Sequence, residues 1–169
     1  QAIYNEHHMH FLSTSLPQRQ PRRRKKHQSK RKRGPAIPNR VDISERPDYV
    51  DERSEPGHWE GDTVVGKNQD GFIVTIVERY SRLLHAVKVE TKQAAEVGAA
   101  IIESLLDRPA SWLKTITFDN GSEFADHERI VEELNVSTYF AQPYCAWQRG
   151  TNENANGIIR RFLPKGTSF

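Results

Sequence analysis

The sequence predicts an α/β fold, a mixed five-stranded sheet flanked by helices and preceded by a basic arm that is disordered in isolation. Three observations carry this. Three β-rich segments follow one another across short turns between residues 57 and 90. Beyond residue 91, helical and β patterns alternate. Ahead of both lies a run of cations with no acid in it. Strands in direct succession suggest a meander, and strands alternating with helices after it imply a mixed sheet with helices on its faces.

Each element has a local reason. Trp59–Val65 (WEGDTVV) is a strand candidate, GKNQDG is a turn, and Phe72–Val77 (FIVTIV) is a nearly continuous apolar run. Leu83–Val89 (LLHAVKV) is a third strand. His85 alternates there with Leu83, Val87 and Val89, which reads as a packed core histidine. Thr91 is placed to cap a helix whose apolar positions Ala94, Val97, Ile101 and Leu105 recur at helical spacing, and Pro109 closes it. Thr115–Phe118 (TITF) is a short strand stopped by Asp119-Asn120-Gly121, a turn signal. Asp126 can cap a helix through Leu134, and Thr138–Ala141 (TYFA) is a last strand stopped by Pro143. Thr151 can cap a final helix. In it Ala155, Ile158, Ile159 and Phe162 form the apolar stripe expected to dock on the sheet.

Composition limits the function. The 169 residues suffice for one domain with a core. No apolar run approaches the ~20 residues of a membrane span, and no apolar segment follows a basic start as in a secretory signal. The one cysteine, Cys145, has no internal partner and suits a reducing cytoplasm. It reads as a small buried hydrophobe rather than a nucleophile. Net charge is +3, but residues 19–33 (RQPRRRKKHQSKRKR) hold ten Lys/Arg and no acid, which leaves the remainder at −7. Such a run cannot bury itself. It attracts a polyanion by counterion release, and duplex DNA is the densest common one. A solvated linker or a contact for an acidic protein are the other readings; the density of charge favours nucleic acid. Residues 1–17 look like the end of a helix cut from something longer, 18–56 like the arm and a proline-bearing linker, and 57–169 like the folded core. His7, His8 and His10 have no carboxylate or thiolate company and read as helix surface.

Three acids stand out by placement. Asp62 lies within the first strand, Asp119 where the fourth ends, and Glu153 in the first turn of the last helix, where the helix dipole favours negative charge. If the first and fourth strands are neighbours, the aspartates converge, and a helix packed beside them can bring in the glutamate. Three carboxylates ionise together only around a cation. Mg²⁺ or Mn²⁺, as a pair of ions, is the hard species that fits, and it serves in-line attack on phosphate. Glu153, Asn156, Gly157 and Arg160 share a helical face expected to be exposed and suited to a phosphodiester backbone. A carboxylate-pair glycosidase needs neither the third acid nor the arm.

GHWEGDTVVGK (57–67), TFDNGSEF (117–124) and PYCAWQRGTNENANGIIRRFLPKGTSF (143–169) resemble the bacterial insertion-sequence transposases of the IS-thirty family, over roughly residues 37–169. The resemblance implies a DDE, RNase H-like catalytic core of the retroviral-integrase type. It matches Asp62, Asp119 and Glu153 to the catalytic and metal-holding triad, with Asp62 bridging two metal ions. It further implies cleavage at transposon ends and strand transfer into target DNA. Double-stranded DNA, as terminal inverted repeats and target, is then the partner, with a homo-oligomer assembled on it in the bacterial cytoplasm and no membrane. Expected DNA contacts are Arg22, Arg23, Arg24, Lys25, Lys26, Arg31, Lys32 and Arg33 in the arm, and Arg149, Asn152, Asn156, Arg160 and Lys165 in the core. Asn120 is expected to brace Asp119, while Glu60, Glu123 and Asp126 are ranked as structural or surface acids. Relatives of this family begin with a helix-turn-helix region and continue past KGTSF, so the chain is expected to be truncated at both ends. The alternative is a catalytically inactive fragment that only binds DNA.

Overall fold

Three β-rich segments pair as an antiparallel meander, β1 (His58–Val65), β2 (Phe72–Glu78) and β3 (Leu84–Val89). β4 (Thr115–Phe118) adds to the other side of β1 in parallel, and β5 (Ser137–Phe140) adds to β4 in parallel, giving the order β3-β2-β1-β4-β5. The structure, a computed structural model, describes residues 37–143 and 145–169. The expectations for residues 1–17 and for the basic run, including Arg22, Arg23, Arg24, Lys25, Lys26, Arg31, Lys32 and Arg33, lie outside the described residues. Four α-helices are described: α1 (Tyr49–Glu52), α2 (Ala94–Leu105), α3 (His127–Leu134) and α4 (Gly150–Phe162).

Side chains alternate across a strand, so the register sorts the sheet into two unlike faces. One face carries Trp59, Val74, Ile76, Ile116, Phe118 and Phe140, and these join Val97, Ile101 and Leu105 of α2 and Ile130 and Leu134 of α3 in the apolar core. The other face carries His58, Glu60, Asp62, Thr75, Thr115 and Thr117. α4 packs on that face against β1 and β2. Most of the hydrophobic stabilisation therefore lies under α2 and α3, and the polar groups lie under α4.

The segment before β1 belongs to the fold. Ile37, Ile43 and Val50 are buried, Phe140 donates its N–H to the Val41 carbonyl at 2.9 Å, and Asp42 makes a parallel bridge to Phe140. Over its described part, the segment expected to be a linker thus packs along the β5 edge. Its apolar residues are too widely spaced to give a period.

Of two expected caps, one is replaced and the other makes no capping bond. α2 begins at Ala94 with Gln93 as its N-cap residue, and Thr91 instead donates to Glu96, whose carboxylate also accepts the Glu90 N–H at 2.8 Å. α3 starts after Asp126 as expected, but without a side-chain capping bond. His85 is half-buried with its ring 5.8 Å from that of Trp59, a packing role. Cys145 is only half-buried. No helix among the described residues is long and apolar enough to cross a membrane.

Gly61 is needed for close approach. A Cβ there would come within 2.5 Å of the Phe118 ring, which stacks on Phe124 at 4.5 Å and leans on Phe140 at 5.8 Å. Phe118 has no free side to move to. Gly61→Ala is expected to destabilise the fold by ~1–3 kcal/mol, measured as a lower urea midpoint at unchanged slope.

Candidate active site

Parallel pairing of β1 with β4 assembles the site. Glu60 is the register partner of Thr117, and both strands advance equally, so two residues further on Asp62 and Asp119 come to the same level on the same face. The Arg149 guanidinium lies between them, at 3.7 Å from Asp62 Oδ2 and 3.4 Å from Asp119 Oδ2, and it also donates to the Gly61 carbonyl at 3.2 Å. Asp62 accepts the Asn156 amide N–H at 2.8 Å and the Thr63 N–H at 2.8 Å. Burial pushes the Asp62 carboxyl above its ordinary range; Arg149 opposes this, and the charge of Asp119 adds to it.

The turn after β4 braces Asp119 through a different residue from the one expected. The Gly121 N–H donates to Asp119 Oδ1 at 2.8 Å, while Asn120 donates to the Ala141 carbonyl and accepts from Arg40. A Cβ on Gly121 would run into the carboxylates of both Glu123 and Asp119. Glu123 is buried. Burial alone would raise its carboxyl, but Lys92 at 2.5 Å and the Thr63 hydroxyl at 2.9 Å hold it below the ordinary range.

α4 docks only half of its expected apolar stripe. Ala155 and Ile159 are buried, but Ile158 is 43% and Phe162 80% exposed. Beside Ala155 and Ile159 the docking surface includes residues 149, 152, 156 and 160, spaced by about one helical turn. Beyond the Arg149 contacts, the Asn152 N–H donates to Glu60 Oε2 at 2.8 Å, Asn156 holds Asp62 and accepts from Thr75 at 3.2 Å, and Arg160 donates to the Val65 carbonyl at 2.8 Å. All four were expected to contact DNA, Asn156 and Arg160 from an exposed face. Instead they seat the helix on β1, because that face of β1 is itself polar. Lys165 is exposed. Thr151 does not cap: the N-cap residue is Arg149, without a side-chain capping bond, and Thr151 is buried with its hydroxyl unpartnered.

The structure brings two of the three predicted acids together. Glu153 is exposed in the first turn of α4, and among the described residues no three His, Cys, Asp or Glu side chains are close enough to hold a metal ion. Glu153 nonetheless stands about 100° round the helix from Asn152. It is four residues from Arg149 and three from Asn156, the two residues that touch Asp62. Sequence reasoning missed the ion pairs of Arg46 and Arg79 with Asp51, at 2.5 and 2.9 Å, beneath this site. Isolated charges in a proline-bearing segment, and an arginine just past β2, gave no signal of burial.

The raised Asp62 carboxyl has a pH signature. A group that binds protons more tightly when folded lowers stability as pH rises from the unfolded value through the folded one. Asp62→Asn is therefore expected to raise the melting temperature by a few degrees near pH 7, with the gain shrinking as pH falls toward 4. Calorimetry across that range checks it.

Comparison with known proteins bears on the family and the fold. The integrase core domain family matches residues 52–146. The chain is 44% identical over 151 residues to the transposase of insertion sequence element IS4351 from Bacteroides fragilis, covering 89% of this chain and 46% of that protein. It is 41% identical over 133 residues to the transposase of IS1086 from Cupriavidus metallidurans, covering 79% and 39%. It is 40% identical over 144 residues to transposase InsI of IS30A from Escherichia coli K12, covering 85% and 37%. The chain thus spans less than half the length of these relatives. Among solved structures, a chain of a simian T-cell lymphotropic virus intasome in complex with PP2A regulatory subunit B56 gamma superposes with a TM-score of 0.57 at 19% identity, covering 64% of this chain and 40% of that one. The catalytic core of BIV integrase superposes at 0.52 and 23%, covering 63% and 68%. These neighbours establish the RNase H-like fold of retroviral integrase cores. With the family match covering more than half of its residues, the chain belongs to the integrase core domain family, and insertion-sequence transposases are among its relatives.

Proposed function

We propose that this chain is the catalytic core of a DDE transposase that cuts DNA at transposon ends and joins the freed strand to target DNA. The carrying observation is the Asp62–Asp119 pair, aligned by parallel strands and sharing one cation, Arg149. Glu153 is the third member, placed on the helix edge beside the residues that hold Asp62.

Divalent metal use is general to the integrase core family. The donor set fits such ions: two crowded carboxylates that already require a positive partner offer hard oxygen ligands. Asp62, Asp119 and Glu153 would hold two Mg²⁺ or Mn²⁺, whose chemistry is to activate a water or 3′-hydroxyl and stabilise the departing oxygen. The protein's own residues set the stage for that. Asn156 orients Asp62, Gly121 orients Asp119, and Arg149 supplies positive charge where a phosphodiester approaches.

The partners in this reading are double-stranded DNA, as terminal inverted repeats and target, and further copies of the chain assembled on it in the bacterial cytoplasm. In this reading the segment 1–17 belongs to a DNA-recognition region, 18–56 carries the basic arm, and 57–169 carries the chemistry. A fragment that only binds DNA is not favoured, because nothing in binding alone requires Asp62 and Asp119 to be aligned.

Two measurements test the reading. Asp119→Asn is expected to lower Mn²⁺-dependent nicking of end-sequence DNA by roughly 10³-fold or more; equal nicking by both proteins rejects the site. Deleting residues 19–33 is expected to flatten the salt dependence of DNA binding, since ten cations contribute to its slope. Filter binding between 50 and 200 mM salt reads this.

A further inference from the structure

We propose that Glu60 is a positioning residue: its buried carboxylate stands in for the missing cap of α4, fixes the first turn of that helix on β1 and so sets the rotation of Glu153 about the helix axis. This rests on the transposase reading for its consequence, but not for its geometry.

Glu60 is fully buried, on the same face of β1 as Asp62. A buried carboxylate needs partners. Oε2 accepts the Asn152 N–H at 2.8 Å, and Oε1 lies 3.4 Å from the Arg79 guanidinium, itself buried. Arg79 donates to Asp51 at 2.9 Å, Asp51 accepts from Arg46 at 2.5 Å, and Arg46 donates to the Thr117 hydroxyl at 2.9 Å. Thr117 is the register partner of Glu60, so the chain of contacts closes on itself across β1 and β4. It anchors the carboxylate from below.

The helix above needs such an anchor. The first N–H groups of a helix lack internal partners, and α4 supplies no side-chain cap of its own. Glu60 meets one of them from the sheet, with a charge the helix dipole favours. The bond is made to Asn152, the residue before Glu153, so the rotation of Glu153 about the helix axis follows from it. Buried ion pairs seldom add net stability compared with apolar packing. Their use here is to select one seating of α4.

Hydrogen exchange of the full chain, read on peptides from residues 150–157 and 72–78, tests this alongside steady-state nicking. In Glu60→Ala, exchange at 150–157 is expected to rise ~10-fold or more, as for loss of a hydrogen bond to a charged group, with 72–78 unchanged. kcat is expected to fall while KM for DNA stays the same. Glu60→Gln retains an acceptor oxygen and is expected to fall between wild type and alanine in both readouts. It carries the same test should the alanine variant not fold. Exchange that is unchanged at 150–157, or that rises equally at 72–78, overturns the proposal, as does a local rise with unaltered kcat. If exchange rises only at 150–157 and no protein, wild type included, nicks DNA, the active-site reading falls and the anchoring of α4 by Glu60 stands.

Discussion

Two carboxylates two residues apart on one strand, Glu60 and Asp62, face the helix that covers them, and the rest of the site follows from how each is compensated. Glu60 is deep, held by a backbone N–H and an arginine. Asp62 is nearer the edge, held by an amide and an arginine shared with Asp119. Neither charge could be tolerated beneath an apolar helix. A helix that offers the Asn152 backbone N–H and the Asn156 and Arg160 side chains on its docking face is the complement this strand requires.

The sheet therefore divides its work between its faces. Under α2 and α3, aromatic and branched residues dominate the packing, and Phe118 fills the space above Gly61. Under α4, the same strands present acids and threonines whose contacts are directional. Hydrogen bonds and ion pairs discriminate between positions in a way that apolar packing does not. The apolar face can carry the stability, leaving the polar face to hold strained and crowded charge. The raised carboxyl of Asp62 reflects its burial first and the neighbouring charge of Asp119 second.

Part of this was legible from sequence because it is local. β1, β2 and β4 were read from branched residues and turn signals, and the alignment of Asp62 with Asp119 followed once β1 and β4 were taken as neighbours. The seating of α4 was not legible. Its apolar period selected Ile158 and Phe162, yet both are exposed while Asn152 is buried. Periodicity identifies the docking face only when the surface it meets is apolar, and that surface is built from other strands. The pairing of Arg46 and Arg79 with Asp51 was invisible for the same reason: each arginine looks like a solvated charge until the fold surrounds it.

By itself, the sequence determined which segments become strands and helices, which acids stand at their ends, and where the strong cationic run lies, since these depend on neighbours a few residues away. Only the tertiary structure decided that the docking face of α4 is partly polar, that Arg149 bridges the two aspartates, and that Glu60 reaches the first turn of the helix. Those are contacts between residues as many as 95 positions apart. Their energies come from burial and from partners that do not exist until the sheet has closed beneath the helix.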